Sequence, residues 1–198
     1  MEFSAITQLR LRGAFANSPK FQAVTQNEEF LDELFEHSNR STLFVHDDDS
    51  TKHSIYVENT KGLGKDKVFV VQNPKHKDVF LWHIDGILYA KDTKCDCAVL
   101  TTEEIKFVEF KSNAANNSRE AIKDNYQKAH DQLLETFEDV KSRCEAVGVE
   151  LTKVVKAEAY AVFNRTVPRN DAQQKNLSAS FLKKTNIRLK FENETKLT

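Results

Sequence analysis

The stretch KCDCAVLTTEEIKFVEFKSN, residues 94–113, decides the fold. Residues 95–100 are apolar and β-branched enough for one strand, and residues 105–111 alternate like a second. Between them, Thr101-Thr102-Glu103-Glu104 is the only plausible turn. A turn centred between Thr102 and Glu103 sets residues whose numbers sum to 205 opposite each other, so Asp96 faces Glu109. Directly opposed residues of an antiparallel pair have Cβ atoms about 4.5–5.5 Å apart. Lys111, two residues past Glu109, projects from the same face. Two carboxylates and one ammonium therefore meet at one spot. Adjacent carboxylates repel and call for a cation. Hard oxygen ligands of this kind suit Mg²⁺ or Mn²⁺.

Upstream, residues 79–89 form the longest strand candidate, apolar on both faces and so central in a sheet covered on both sides. Asp85 sits within that run, where a carboxylate needs a partner or a cation, and is a candidate further metal ligand. His83 reads as a packed core histidine. Residues 41–45, 53–58 and 68–72 read as three strands, an extra N-terminal β-meander ahead of the core. The run His46-Asp47-Asp48-Asp49 lacks the glycine and distal glutamate of a calcium loop and reads as a solvated hairpin tip. Gly62-Leu63-Gly64-Lys65 lacks the ending of a phosphate loop and reads as a turn. Further back, Asn27 caps a helix whose stripe of Phe30, Leu31, Leu34 and Phe35 ends near His37.

Downstream, Asn117 and Glu120 make a capping pair for a long helix. Its stripe runs through Ile122, Tyr126, Ala129, Leu133, Phe137, Val140, Cys144 and Val147, and Gly148 closes it. Residues 151–163 read as a strand. A right-handed crossover through the long helix lays residues 157–163 beside the motif strand. Residues 171–184 read as a helix and residues 187–192 as an edge strand. The basic cluster Lys183, Lys184, Arg188 and Lys190 is either a phosphate contact or ordinary edge-strand charge.

The 198 residues suit one domain, and a 39% apolar fraction with fourteen Phe can fill a core. A net charge of −1 supplies no global basic field, although it leaves room for a local basic groove. No apolar run is long enough to span a membrane, and no signal-peptide pattern opens the chain. Three cysteines do not make a disulfide framework, so a reducing, cytoplasmic setting is expected.

Asp96 on one strand and Glu109-Phe110-Lys111 on the next, followed by a helix, resembles the PD-(D/E)XK nuclease superfamily. Cys95 stands where many members carry proline. The resemblance implies an α/β fold of the α+β kind with a restriction-endonuclease-like core over residues 27–163, its central mixed sheet flanked by helices. It implies a Mg²⁺- or Mn²⁺-dependent endonuclease in which Asp96, Glu109 and the Phe110 carbonyl hold the metal and Lys111 orients the attacking water. It further implies that Glu29 or Glu33 reaches the metal from the first helix, and that Lys123 or Gln127 approaches the site from the long helix. Nucleic acid, DNA first, is then the partner, and a partner subunit or homodimer would supply recognition, as in restriction or defence systems. The alternatives are an inactive nuclease-like fold serving as a protein-binding or immunity module, and an unrelated α/β interaction protein.

Overall fold

The computed structural model describes residues 35–85, 94–111, 118–146, 148–164 and 172–198. The predicted helix residues Asn27 to Leu34, with Glu29 and Glu33, lie outside them, as do Asn117 and Val147.

The motif hairpin is the centre of the molecule. Thr101 N–H donates to the Glu104 carbonyl at 2.9 Å, while Thr101 Oγ1 accepts the N–H groups of Glu103 and Glu104. This closes a two-residue turn between strands β6 (Cys97–Leu100) and β7 (Glu104–Lys111). Cys97 pairs with Val108 and Leu100 with Ile105, the register that the turn predicts. On one side β6 pairs antiparallel with β5 (Val79–His83), and β5 pairs with β1 (Phe35–Ser38). On the other side β7 pairs in parallel with β8 (Lys156–Phe163), and β8 with β9 (Arg188–Lys190). The result is a mixed six-stranded sheet in the order β1-β5-β6-β7-β8-β9.

The crossover between β7 and β8 runs through α1 (Arg119–Ala146), 28 residues and so about 42 Å long. Ser118 Oγ accepts the Ala121 N–H at its start. Gly148, at φ +77°, ends it in the left-handed conformation that glycine adopts without steric cost. Tyr126, Ala129, Leu133, Phe137, Val140 and Cys144 are buried against Trp82, Ala98, Leu100, Ile105 and Phe107. Helix α3 (Ala172–Thr185) adds Leu177 and Phe181 to the same layer.

The opposite face of the large sheet is covered by a second, four-stranded mixed sheet, β10-β4-β2-β3. Its strands are β2 (Thr42–Asp48), β3 (His53–Val57), β4 (Val68–Gln72) and β10 (Glu194–Lys196). Leu43, Val45, Phe69 and Val71 pack there on Leu81, Val99, Val108, Phe110 and Val162. Asn193 ties the two sheets together, donating to the carbonyls of Phe163 at 2.7 Å and Lys65 at 2.8 Å.

The architecture is therefore α+β, with helices on one face of the large sheet and a second sheet on the other. Four expectations are corrected. Phe35 and His37 do not end a helix. They belong to β1, whose pairing with β5 gives their backbone a ladder that a helix end could not reach. The three early strands are not a meander. The tight turn after Asp48 makes β2 and β3 neighbours, and the longer connection through Gly62 carries β4 across to the other edge of β2. Residues 151–154 are not strand but a single helical turn, α2 (Leu151–Val154). The sheet is not flanked by helices on both faces, because β10 completes a second sheet that takes one of them.

Candidate functional site

The open end of the motif hairpin gathers the titratable groups. Glu109 and Lys111 stand at the C-terminal end of β7, on the same side as Ile105 and Phe107, which pack toward α1. Glu109 is 2% exposed. Its Oε1 receives the Lys111 ammonium, which also donates to Gln132 Oε1 of α1 at 2.5 Å. Gln132 in turn donates to the Lys94 carbonyl at 3.1 Å, and Thr136 Oγ1 accepts the Cys95 N–H at 2.8 Å. Helix α1 thus clamps both Lys111 and the segment that enters β6. The other oxygen of Glu109, Oε2, is buried with no hydrogen-bond partner. Burial pushes the Glu109 carboxyl up to about 7, against the downward pull of Lys111; the charges of Asp85 and Asp47 add to the rise.

Asp96 lies at the bend before β6. Its Oδ2 accepts the Phe110 N–H at 2.6 Å. Burial, and then the Glu109 charge, hold its carboxyl well above the ordinary range, while the Phe110 N–H opposes them. Its carbonyl accepts the N–H groups of Ile84 at 3.2 Å and Asp85 at 3.1 Å, which places Asp85 alongside. The side chains of Asp85 and Asp96 line a cleft of about 190 Å³ with Asp47, Asp48, Asp49, Lys52, His53 and Ser54 of the β2–β3 hairpin. Asp47 is raised above its ordinary value, by loss of water first. Asp48 is instead turned to its own turn, accepting from Ser50 at 2.9 Å, and Asp49 pairs with Lys67.

The sequence-derived residues divide accordingly. Asp96, Glu109, Lys111 and Asp85 come together, and Phe110 contributes its N–H to Asp96. Gln127 and Lys123 are exposed on α1, one and two to three turns before Gln132; Gln127 donates to Asp131 at 2.9 Å. Lys183, Lys184 and Arg188 are elsewhere. Strand β9 runs parallel to β7 and β8, and Arg188 stands level with Glu158 and Lys106, about 16 Å along the strands from Lys111. The last turn of α3, which leads into β9, lies at that same far end. Lys190 is spent on Glu158, at 2.9 Å.

Two residues were missed. Gln132, rather than Gln127, is the helix side chain that reaches the lysine. Asp47 belongs to the site rather than to a solvated tip. The alternation Leu43, Val45, Asp47 carried that signal, since the first two are buried against the large sheet.

As to a metal, the donors are hard carboxylate oxygens, and the orphaned Oε2 of Glu109 is an acceptor that a cation would satisfy. In their present rotamers no three His, Cys, Asp or Glu side chains among the described residues form a ready metal-binding group. Cys95 and Cys97 are buried and form no disulfide, and burial pushes their thiols well up from the ordinary value. No helix among the described residues is long and apolar enough to cross a membrane. No family model, curated protein or solved structure matches the chain.

Proposed function

We propose that the protein is a Mg²⁺- or Mn²⁺-dependent nuclease that hydrolyses phosphodiester bonds in nucleic acid, DNA in the first instance. The observation that carries the reading is the buried Glu109 carboxylate, held at one oxygen by Lys111 and unpartnered at the other, beside Asp96. The connectivity supports it: three consecutive antiparallel strands, a long helix and a strand returning parallel to the third. That is the order of a restriction-endonuclease-like core, with Asp96 entering its second strand and Glu109 and Lys111 on its third.

In this reading Asp96, Glu109 and the Phe110 carbonyl hold the cation, and Asp85 stands beside them. A divalent ion there supplies Lewis acidity toward the scissile phosphate and lowers the pKa of water. Lys111 orients the attacking water and balances charge developing on the phosphate. Gln132 fixes the lysine by accepting a hydrogen bond from its ammonium, which limits the rotamers the ammonium can explore. With a net charge of −1, binding to nucleic acid is weak and salt-sensitive unless a partner subunit or a second copy adds contacts.

A second reading, an inactive fold acting as a protein-binding or immunity module, is favoured by the contacts that Asp96 and Lys111 already make within the protein. Asp96 is engaged by Phe110, and Lys111 by two acceptors. The test is cleavage of duplex DNA, single-stranded DNA and RNA with Mg²⁺ or Mn²⁺, by wild type and Lys111→Ala. Metal-dependent cleavage lost in the variant supports the nuclease. No cleavage of any polymer by the wild type removes it and leaves the binding module.

A further inference from the structure

We infer that the outer surface of α3, continued into the start of β9, binds the sugar–phosphate backbone of nucleic acid. The inference deepens the nuclease reading and rests on it for the choice of polymer. It assigns backbone contacts to this chain itself, on a surface separate from Asp96, Glu109 and Lys111.

The net charge of −1 hides a segregation. Residues 172–191 hold five basic side chains, Lys175, Lys183, Lys184, Arg188 and Lys190, and no Asp or Glu, which leaves −6 for the rest of the chain. Lys175, Lys183, Lys184 and Arg188 are exposed. Among the described residues none of these four enters an ion pair, whereas Lys190 is held by Glu158 at 2.9 Å. Local stability explains only part of this pattern. Lys183 and Lys184 stand in the last turn of α3, where the helix dipole favours cations, and Arg188 protects an edge strand. Lys175 stands near the start of the helix, where a cation gains nothing from the dipole, and the first turn holds no acidic residue. Neither effect accounts for the absence of any acid along the whole segment.

The chemistry of the surface selects among polyanions. The apolar side of α3, Leu177 and Phe181, is buried in the core, and Leu182, 44% exposed, is the one large apolar side chain the helix leaves outside. A helix that lies in a membrane surface needs a broad apolar face, and a protein interface needs apolar or aromatic anchors at its centre. Backbone contacts to nucleic acid need neither. Lysine, arginine and asparagine side chains meet phosphate oxygens there, and the cations displace condensed counterions. Exposed Asn176 and Asn186 lie among the cations. Lys175 and Lys183 are about 12 Å apart along the helix, the span of roughly three to four phosphates of one strand. Helix α3 shares the layer of α1, on the side of the large sheet toward which Lys111 projects. Its first turn meets α1 where Gln173 donates to the Lys123 carbonyl at 3.0 Å. A strand laid along α3 therefore runs toward the Lys111 end of the sheet.

The experiment measures binding of the full chain to a short labelled DNA duplex by fluorescence anisotropy, across a salt series and with EDTA present so that nothing is cleaved. Wild type is compared with the α3 variant Lys175→Gln/Lys183→Gln/Lys184→Gln. A control of equal charge change is Lys61→Gln/Lys65→Gln/Lys75→Gln, whose lysines are exposed in the loops flanking β4. Far-UV circular dichroism checks folding, and cleavage of the same duplex with Mn²⁺ is assayed in parallel. The expected result is a Kd raised about tenfold or more in the α3 variant, with a salt slope shallower by about 2 to 3, and a change below about threefold in the control. Wild-type affinity in the α3 variant, or equal weakening in the control, overturns the surface; cleavage by the wild type then leaves the nuclease reading standing. Weakened binding in the α3 variant with no cleavage by the wild type supports the surface and removes the nuclease. No binding by the wild type at about 50 mM salt overturns the surface. Binding to anionic phospholipid vesicles or polyglutamate but not to the duplex overturns the choice of partner.

Discussion

Phe110 donates its backbone N–H to the carboxylate of Asp96 at 2.6 Å. Antiparallel pairs alternate between hydrogen-bonded and non-bonded, and the pair Thr101–Glu104 is bonded. Counting back in steps of two, the Phe110 N–H would next meet the backbone of Cys95. The Asp96 side chain takes it instead. The residue that ends the motif ladder is thus also the one that presents a carboxylate to the site, and the hairpin fixes its position.

This double role separates two substitutions. Asp96→Ala strands the Phe110 N–H in a half-buried position and should cost about 1–3 kcal/mol. Asp96→Asn keeps an acceptor and removes repulsion with Glu109, so its stability should stay within about 1 kcal/mol of wild type. Urea unfolding distinguishes them, and equal losses would show that the Phe110 hydrogen bond is not what holds Asp96. Both variants should lose metal-dependent cleavage.

Gln132 should matter through Lys111. Gln132→Leu removes the acceptor that fixes the ammonium, and kcat for DNA cleavage should fall about tenfold or more with little change in KM. Lys111→Ala should fall much further. If Gln132→Leu changes KM alone, the glutamine contacts substrate instead of positioning the lysine.

At the far end of the same strand, Lys106 is fully buried between Glu104 and Glu158, with each contact at 2.6 Å. Lys106→Met leaves two buried carboxylates without their shared cation and should destabilise the fold by about 3–5 kcal/mol. Denaturant unfolding measures it. A loss below about 1 kcal/mol would mean that Lys190 and Thr198 satisfy the pair unaided.

Acid stability should depend on Glu158. Burial alone would raise its carboxyl, but hydrogen bonds from Lys106 and Lys190 overcome it and hold the group at about 2, below the ordinary 4.5. A carboxyl lowered in the folded state contributes stability above its unfolded pKa and loses it as pH falls toward the folded one. The contribution should therefore be full above pH 4.5 and disappear by about pH 2, an effect on the order of 3 kcal/mol. Thermal unfolding of wild type and Glu158→Gln between pH 6 and 2 checks this. The wild-type advantage should shrink across that window, and a constant gap would contradict it.

Chain-local physics was readable from the residues. The Thr101–Glu104 turn set the hairpin register, Cys97 on Val108 through Leu100 on Ile105, and Asp96 sits at the bend just before that ladder. The seven-residue-scale stripe from Tyr126 to Cys144 set which face of α1 is buried, and Gly148 set where the helix stops. What only the tertiary structure decided were the choices between equally good local options. Phe35 and His37 fit a helix or a strand until β5 offered its edge. Strand β4 fits beside β2 or β3, and the long connection through Gly62 permits either. Asp47 fits a solvated tip until a second sheet is laid over the first and turns it inward. Gln127 and Gln132 are equally polar along the helix, and the axial position of α1 over the sheet picks the second. Periodicity and turn chemistry act over a few residues. Pairing across long connections depends on which apolar faces must cover each other, and no local pattern encodes that.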